Sequence, residues 1–179
     1  RRIQKISNYS SWKDLKSNLI YSKDLIENEI SCLTKVSKEE LAIWKLKQGI
    51  PGFDREVNGE TNPYELGLGD IVKLDKGCYL GQEAIARFVR SKSLKCKLYF
   101  WEAYGESNCF DIGKKFLNSN QDRLERKKVG VVTSSIKIND NFFNGLALIK
   151  NNFIDQDVCF TEYGDSIKIK KPISFTESY

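Results

Sequence analysis

Beyond Lys92 the chain is cut into short runs rich in β-branched and aromatic residues, each bounded by turn-forming residues, and this narrows the available folds more than any other feature. Leu94–Trp101 begins by alternating apolar and charged side chains, and Val129–Ile138, Phe142–Ile149, Val158–Tyr163 and Ser166–Ile173 follow. Such runs suit a strand, whose successive side chains point to opposite faces. Asn139–Asn141 and Tyr163–Asp165 supply hairpin turn chemistry between them. Short strands joined in this way predict a small antiparallel barrel or sandwich. No internal repeat or low-complexity tract interrupts the pattern.

Before Lys92 the pattern is mixed. Ser37 and Glu40 have the spacing of a capping box, Leu41, Trp44 and Gln48 share one helical face, and Gly49 and Pro51 end the run, so residues 38–48 read as a helix. Trp44 on that face is either a packed core ring or a stacking platform for a ligand. Ser11–Lys16 suggests a short helix and Leu19–Tyr21 a strand. Residues 50–75 contain Gly52, Gly59, Pro63, Gly67 and Gly69 and read as a loop, with Asp54 and Glu65 as polar site candidates or as plain solvated carboxylates. The fold class is therefore α+β, with a boundary near Lys92: residues 1–93 form a mixed α/β portion and residues 94–179 a β module.

Composition excludes several chemistries. The 179 residues contain no histidine, so catalysis through an imidazole base and His-ligated zinc are both ruled out within the chain. Cys32, Cys78, Cys96, Cys109 and Cys159 are scattered, with no C-x-x-C pair to grip a zinc or a cluster, and so no stable metal is expected. An odd, dispersed set of thiols suits a reducing compartment. No long apolar run suggests a membrane span or signal segment, and the Asn8–Ser10 sequon is the kind that arises by chance. Methionine is absent and the chain opens at Arg1, which reads as the C-terminal portion of a longer protein. The net charge of +5 is a mild basic excess. It is concentrated in Arg87, Arg90, Lys92, Lys95 and Lys97 and in Arg123, Arg126, Lys127 and Lys128, which serve either a polyanion or simple solvation.

The octet Lys76–Glu83, K-G-C-Y-L-G-Q-E, packs a thiol, two glycines, a cation and a carboxylate together. Gly77 and Gly81 permit φ > 0 or close approach, so Cys78 sits on a constrained turn. Gln82–Arg90 reads as a helix starting just after it. Lys76 and the helix N-terminus would both favour the thiolate. Cys78 is thus either a positioned reactive or metal-handling thiol, or a small apolar plug.

The octet resembles the K-G-C-Y-x-G-Q-E signature of the YgfZ family, folate-binding-like relatives of the glycine-cleavage aminomethyltransferases (GcvT). Lys47–Asp54 resembles that family's E-A-G-I-P segment, Asn62–Leu68 its proline-glutamate-leucine segment, and Lys128–Ser135 and Gly145–Ile149 strands of its C-terminal barrel. Aminomethyltransferases carry a K-x-D-F-I-G-like segment where this chain has Cys78, so the cysteine branch is the better match. The resemblance implies the remnant of a GcvT-like folate-binding domain followed by a small antiparallel β-barrel. It also implies an accessory role in iron–sulfur cluster assembly or repair that supports iron–sulfur-dependent tRNA modification. The alternative is a tetrahydrofolate-dependent aminomethyltransferase.

On that resemblance Cys78 carries the chemistry, as a nucleophile or a transient iron–sulfur ligand, and Lys76 stabilises its thiolate. Gly77, Tyr79 and Gly81 shape the loop, and Gln82 and Glu83 hydrogen-bond it or cap the next helix. Trp44, Glu65 and Arg87 are the candidate contacts to tetrahydrofolate or a folate derivative. The implied partners are iron–sulfur enzymes or cluster-assembly proteins and folate, with direct tRNA contact open and no membrane. The implied compartment is the bacterial cytoplasm or an organellar matrix. One departure stands out: Lys47 occupies a position where relatives carry an acid, and a cation cannot accept hydrogen bonds from a pterin amino group.

Overall fold

A computed structural model describes residues 4–9, 17–21, 36–52, 55–91, 94–119, 125–153, 156–173 and 175. Asp54, Lys92, Arg123, Cys32 and the expected Ser11–Lys16 helix lie outside the described residues. The chain divides into two units, Arg1–Trp44 and Lys45–Tyr179. In the first, strand β1 (Gln4–Tyr9) pairs antiparallel with β2 (Ser17–Tyr21), in a register running from Gln4 opposite Tyr21 to Ile6 opposite Leu19 before an irregularity.

Helix α1 (Lys38–Gln48) contains the division between the units. Its N-terminus is closed by the capping box: the Glu40 N–H donates to Ser37 Oγ at 3.1 Å and the Ser37 N–H donates to Glu40 Oε2 at 2.9 Å. Its C-terminus is a Schellman arrangement, in which the Gly49 N–H donates to the Leu46 carbonyl and the Ile50 N–H to the Lys45 carbonyl. The expected packed stripe needs correction. Leu41 and Trp44 are exposed, whereas Leu46 and Gln48 are buried. Only the last turn enters the core, where Leu46 joins Leu66, Leu98, Phe100 and Leu146.

Six strands of the second unit close into an antiparallel barrel: β3 (Cys96–Tyr104), β4 (Lys115–Leu117), β5 (Lys128–Lys137), β6 (Phe142–Lys150), β7 (Val158–Phe160) and β8 (Ser166–Lys170). Their order around the wall is β3-β6-β5-β4-β7-β8, and β8 returns to β3. Closure removes the open edges that a six-stranded sheet would otherwise carry. β3 runs its whole length against β6, but meets β8 only from Phe100 to Ala103.

Trp101, Phe110, Phe116, Val132, Ile149, Ile167 and Cys159 fill the interior. The Trp101 indole stacks on Phe110 at 5.3 Å, meets Phe116 edge-on at 5.7 Å, and donates its N–H to the Leu146 carbonyl at 3.1 Å. Leu98 and Phe100 bury the opposite face of the same strand against Leu46 and Leu66. β3 is therefore covered on both sides, and this is why Leu98–Trp101 is a continuous apolar run. Lys97, counted from sequence with the basic surface, is buried.

Candidate functional site

The signature loop leads directly into helix α2 (Gln82–Ser91). Gly81 adopts φ 86°, a left-handed conformation with open space where a Cβ would stand, and the Ile85 N–H donates to its carbonyl at 3.1 Å. Gly77 also has open space around it, but its backbone is not left-handed, so the sharp reversal rests on Gly81. Cys78 is exposed and free, and Leu80 beside it is fully exposed.

Gln82 laces the loop. Its Nε2 donates to the Leu74 carbonyl at 2.8 Å, its Oε1 accepts from the Tyr79 N–H at 3.3 Å, and its own backbone N–H donates to the Tyr79 carbonyl at 3.2 Å. One amide side chain thus ties both ends of the turn that carries Cys78. Lys76 lies with its ammonium 5.0 Å from the centre of the Tyr79 ring, a cation–π contact across the thiol-bearing turn. The Tyr79 hydroxyl is buried with no hydrogen-bond partner among the described residues. Burial, and then the neighbouring Tyr79, push the Tyr64 phenol above its usual range.

Glu83 and Arg87 are exposed, and with Gln82, Ala86 and Arg90 they line an open groove of about 400 Å3 along α2. No α2 residue is buried. The loop thiol and the arginine pair therefore occupy one contiguous stretch of chain, Lys76 to Arg90.

The remaining predicted residues do other things. Glu65 is a fastener: Oε1 accepts from the Lys95 and Cys96 N–H groups at 3.1 and 3.2 Å, and Oε2 accepts from the Asn62 N–H at 3.3 Å. Its carbonyl also accepts from the Leu98 N–H at 2.8 Å. Trp44 belongs to the first unit and is exposed. Among the described residues no group of three or more Cys, Asp or Glu side chains is placed to hold a metal ion.

Sequence reasoning missed Glu56. Its side chain is fully buried, accepting from Ser134 Oγ at 2.6 Å and from the Gly52 N–H at 2.8 Å. A carboxylate buried with two donors is a structural tie between the loop and β5. The signal that would have found it, a polar partner at the β5 bulge between Val132 and Ser134, appears only in three dimensions.

No family model matches the chain. Among curated proteins, the "tRNA-modifying protein YgfZ" of Aliivibrio fischeri (strain MJ11) is 27% identical over 186 residues, covering 98% of this chain and 55% of that protein. The protein of the same name from Buchnera aphidicola subsp. Schizaphis graminum is 36% identical over 93 residues, covering 48% of this chain and 28% of the relative. An "Aminomethyltransferase" of Caldanaerobacter subterraneus is 30% identical over 112 residues, covering 61% of this chain and 27% of the relative. The chain spans about half the length of the first of these relatives. Over nearly its whole length the chain is similar to the YgfZ proteins, and over a shorter stretch to the aminomethyltransferases.

Proposed function

We propose that this protein supports tRNA modification, as the name of its YgfZ relatives states for them, and that Cys78 is its reactive centre. The observation that carries the reading is the state of that thiol: exposed, on a turn fixed by Gly81 and by the Gln82 side chain and spanned by the Lys76–Tyr79 contact. An exposed cysteine adds little to packing, so stability does not account for a thiol held on so constrained a loop. Thiolates are soft ligands and good nucleophiles, and upkeep of an iron–sulfur enzyme uses both properties. Any iron handled here would be cargo, and its other ligands would come from the client protein.

A folate derivative is the cofactor that the family likeness implies, and it would supply one-carbon chemistry when bound. Arg87 fits such a ligand, since its exposed guanidinium on the α2 groove suits an anionic tail. Glu65 does not fit, because its carboxylate already accepts three backbone N–H groups. The aminomethyltransferase reading rests on the shorter likeness and gives Cys78 no task.

The test is complementation by the full-length protein carrying Cys78→Ala or Cys78→Ser in cells lacking the wild type. Modified tRNA nucleosides are measured by mass spectrometry, and iron–sulfur enzyme activity is measured under oxidative stress. Both variants should lose activity with an unchanged melting temperature, since removal of an exposed side chain changes stability by about 0.5 kcal/mol or less. Full rescue by either variant would reduce the loop to a structural element.

A further inference from the structure

One end of the barrel holds a cleft of about 650 Å3, remote in sequence from the Cys78 loop and unused by the reading above. It forms where the end of β3 meets the short 107–110 turn and the two hairpin turns at 139–141 and 161–165. Tyr104, Glu106, Cys109, Asn141, Tyr163 and Asp165 line it, together with the backbone of Gly105. A volume of this size lies in the range of small-ligand sites.

Two features of the lining select a ligand class. Tyr104 and Tyr163 are 70% and 68% exposed, a large amount of aromatic surface for side chains that ordinarily bury their rings. Tyr104 is nonetheless held, its ring tilted against Phe142 at 4.6 Å. The second feature is charge: among the described residues, Glu106 and Asp165 are the charged side chains of the lining, and no lysine or arginine joins them.

Asp165 is fixed in place. Thr161 Oγ1 donates to its Oδ2 at 2.8 Å and accepts from the Asp165 and Tyr163 N–H groups at 3.1 and 3.2 Å. Burial first, and then the Asp165 carboxylate, push the buried Cys109 thiol above its usual range.

We propose that this barrel-end cleft binds an organic cation, an ammonium or guanidinium group, against the Tyr104 and Tyr163 rings with Glu106 and Asp165 as counter-charges. The negative face of a phenol ring attracts cations, and a cleft with charge of one sign concentrates ligands of the other. An anionic ligand would meet two carboxylates and no cation. The group would come from a basic side chain of a protein partner or from a free polyamine.

The test is a titration of the whole protein, followed by amide NMR shifts at Gly105, Asn141 and Gly164. The probes are Nα-acetyl-arginine methylamide and spermidine, with Nα-acetyl-norleucine methylamide as the neutral control and Nα-acetyl-glutamate methylamide as the anionic one. At least one cation should shift these amides saturably while neither control does, and the tighter cation identifies the source. Tyr163→Ala and Glu106→Gln, both at exposed positions, should each weaken binding about fivefold without moving the melting temperature. The proposal is overturned if neither cation saturates by about 10 mM. It is equally overturned if the neutral probe binds as well, or if both variants bind like wild type.

Discussion

The four described cysteines stand in three different settings. Cys78 is open to solvent, Cys96 is half-buried, and Cys109 and Cys159 are buried. Burial pushes the Cys159 thiol up to about 12, and burial followed by Glu65 raises Cys96. A thiol reacts as its thiolate, so access and ionisation both disfavour the interior pair. Under iodoacetamide at about pH 8, peptide mass spectrometry should find Cys78 modified first and Cys159 only after denaturant is added. Comparable native labelling of Cys159 would contradict the closed barrel. The turn that carries Cys78 was legible in the sequence because a glycine stands on either side of it. Glu56 was not legible: a lone acid in a glycine-rich loop looks solvated, and its Ser134 partner lies 78 residues away.

Among the elements, those with local signals were the readable ones. The Ser37 and Glu40 capping box fixed the start of α1, and Asn139–Asn141 and Tyr163–Asp165 marked real hairpin turns, closed by bonds from Ile138 to Phe142 and from Thr161 to Asp165. β4 escaped notice because three residues are too few to display alternation. β7 ends at Phe160, earlier than its sequence suggests, since Thr161 is recruited into the turn. The outward face of Leu41 and Trp44 was misread because helical spacing groups side chains without saying which face meets a core. The capping box also has a pH signature. The Ser37 N–H and hydroxyl hold the Glu40 carboxyl below its usual value. Its stabilisation is therefore present above the ordinary carboxylate pKa and is lost as pH falls through the lowered one. Ser37→Ala should cost the helix about 1 kcal/mol and move the Glu40 titration only part of the way back toward the ordinary carboxylate value, because the backbone N–H of residue 37 remains, as read by NMR titration of Glu40. An unchanged Glu40 titration in the variant would refute the assignment.

At the scale of the second unit, distant stretches of sequence are fastened to the barrel at a few polar points. Glu56 ties itself and Gly52 to β5, Glu65 ties residues 62–65 to β3, and Ile173 returns to α1 through the Lys47 carbonyl. None of these ties has a sequence signature, because each joins residues far apart in the chain. Glu65 has a further consequence. Between Cys96 and Tyr99 strand β3 has outrun β8, and the carboxylate and carbonyl of Glu65 take up the Lys95, Cys96 and Leu98 N–H groups there. One residue thus stands in for a missing strand. Glu65→Ala should leave donors on an apolar stretch open to pairing with another molecule. Light scattering would then report larger species growing with concentration, and unchanged scattering would count against it. The acid that first looked like a ligand contact is, on this view, a guard against aggregation, keeping the protein's own barrel from templating a neighbour's.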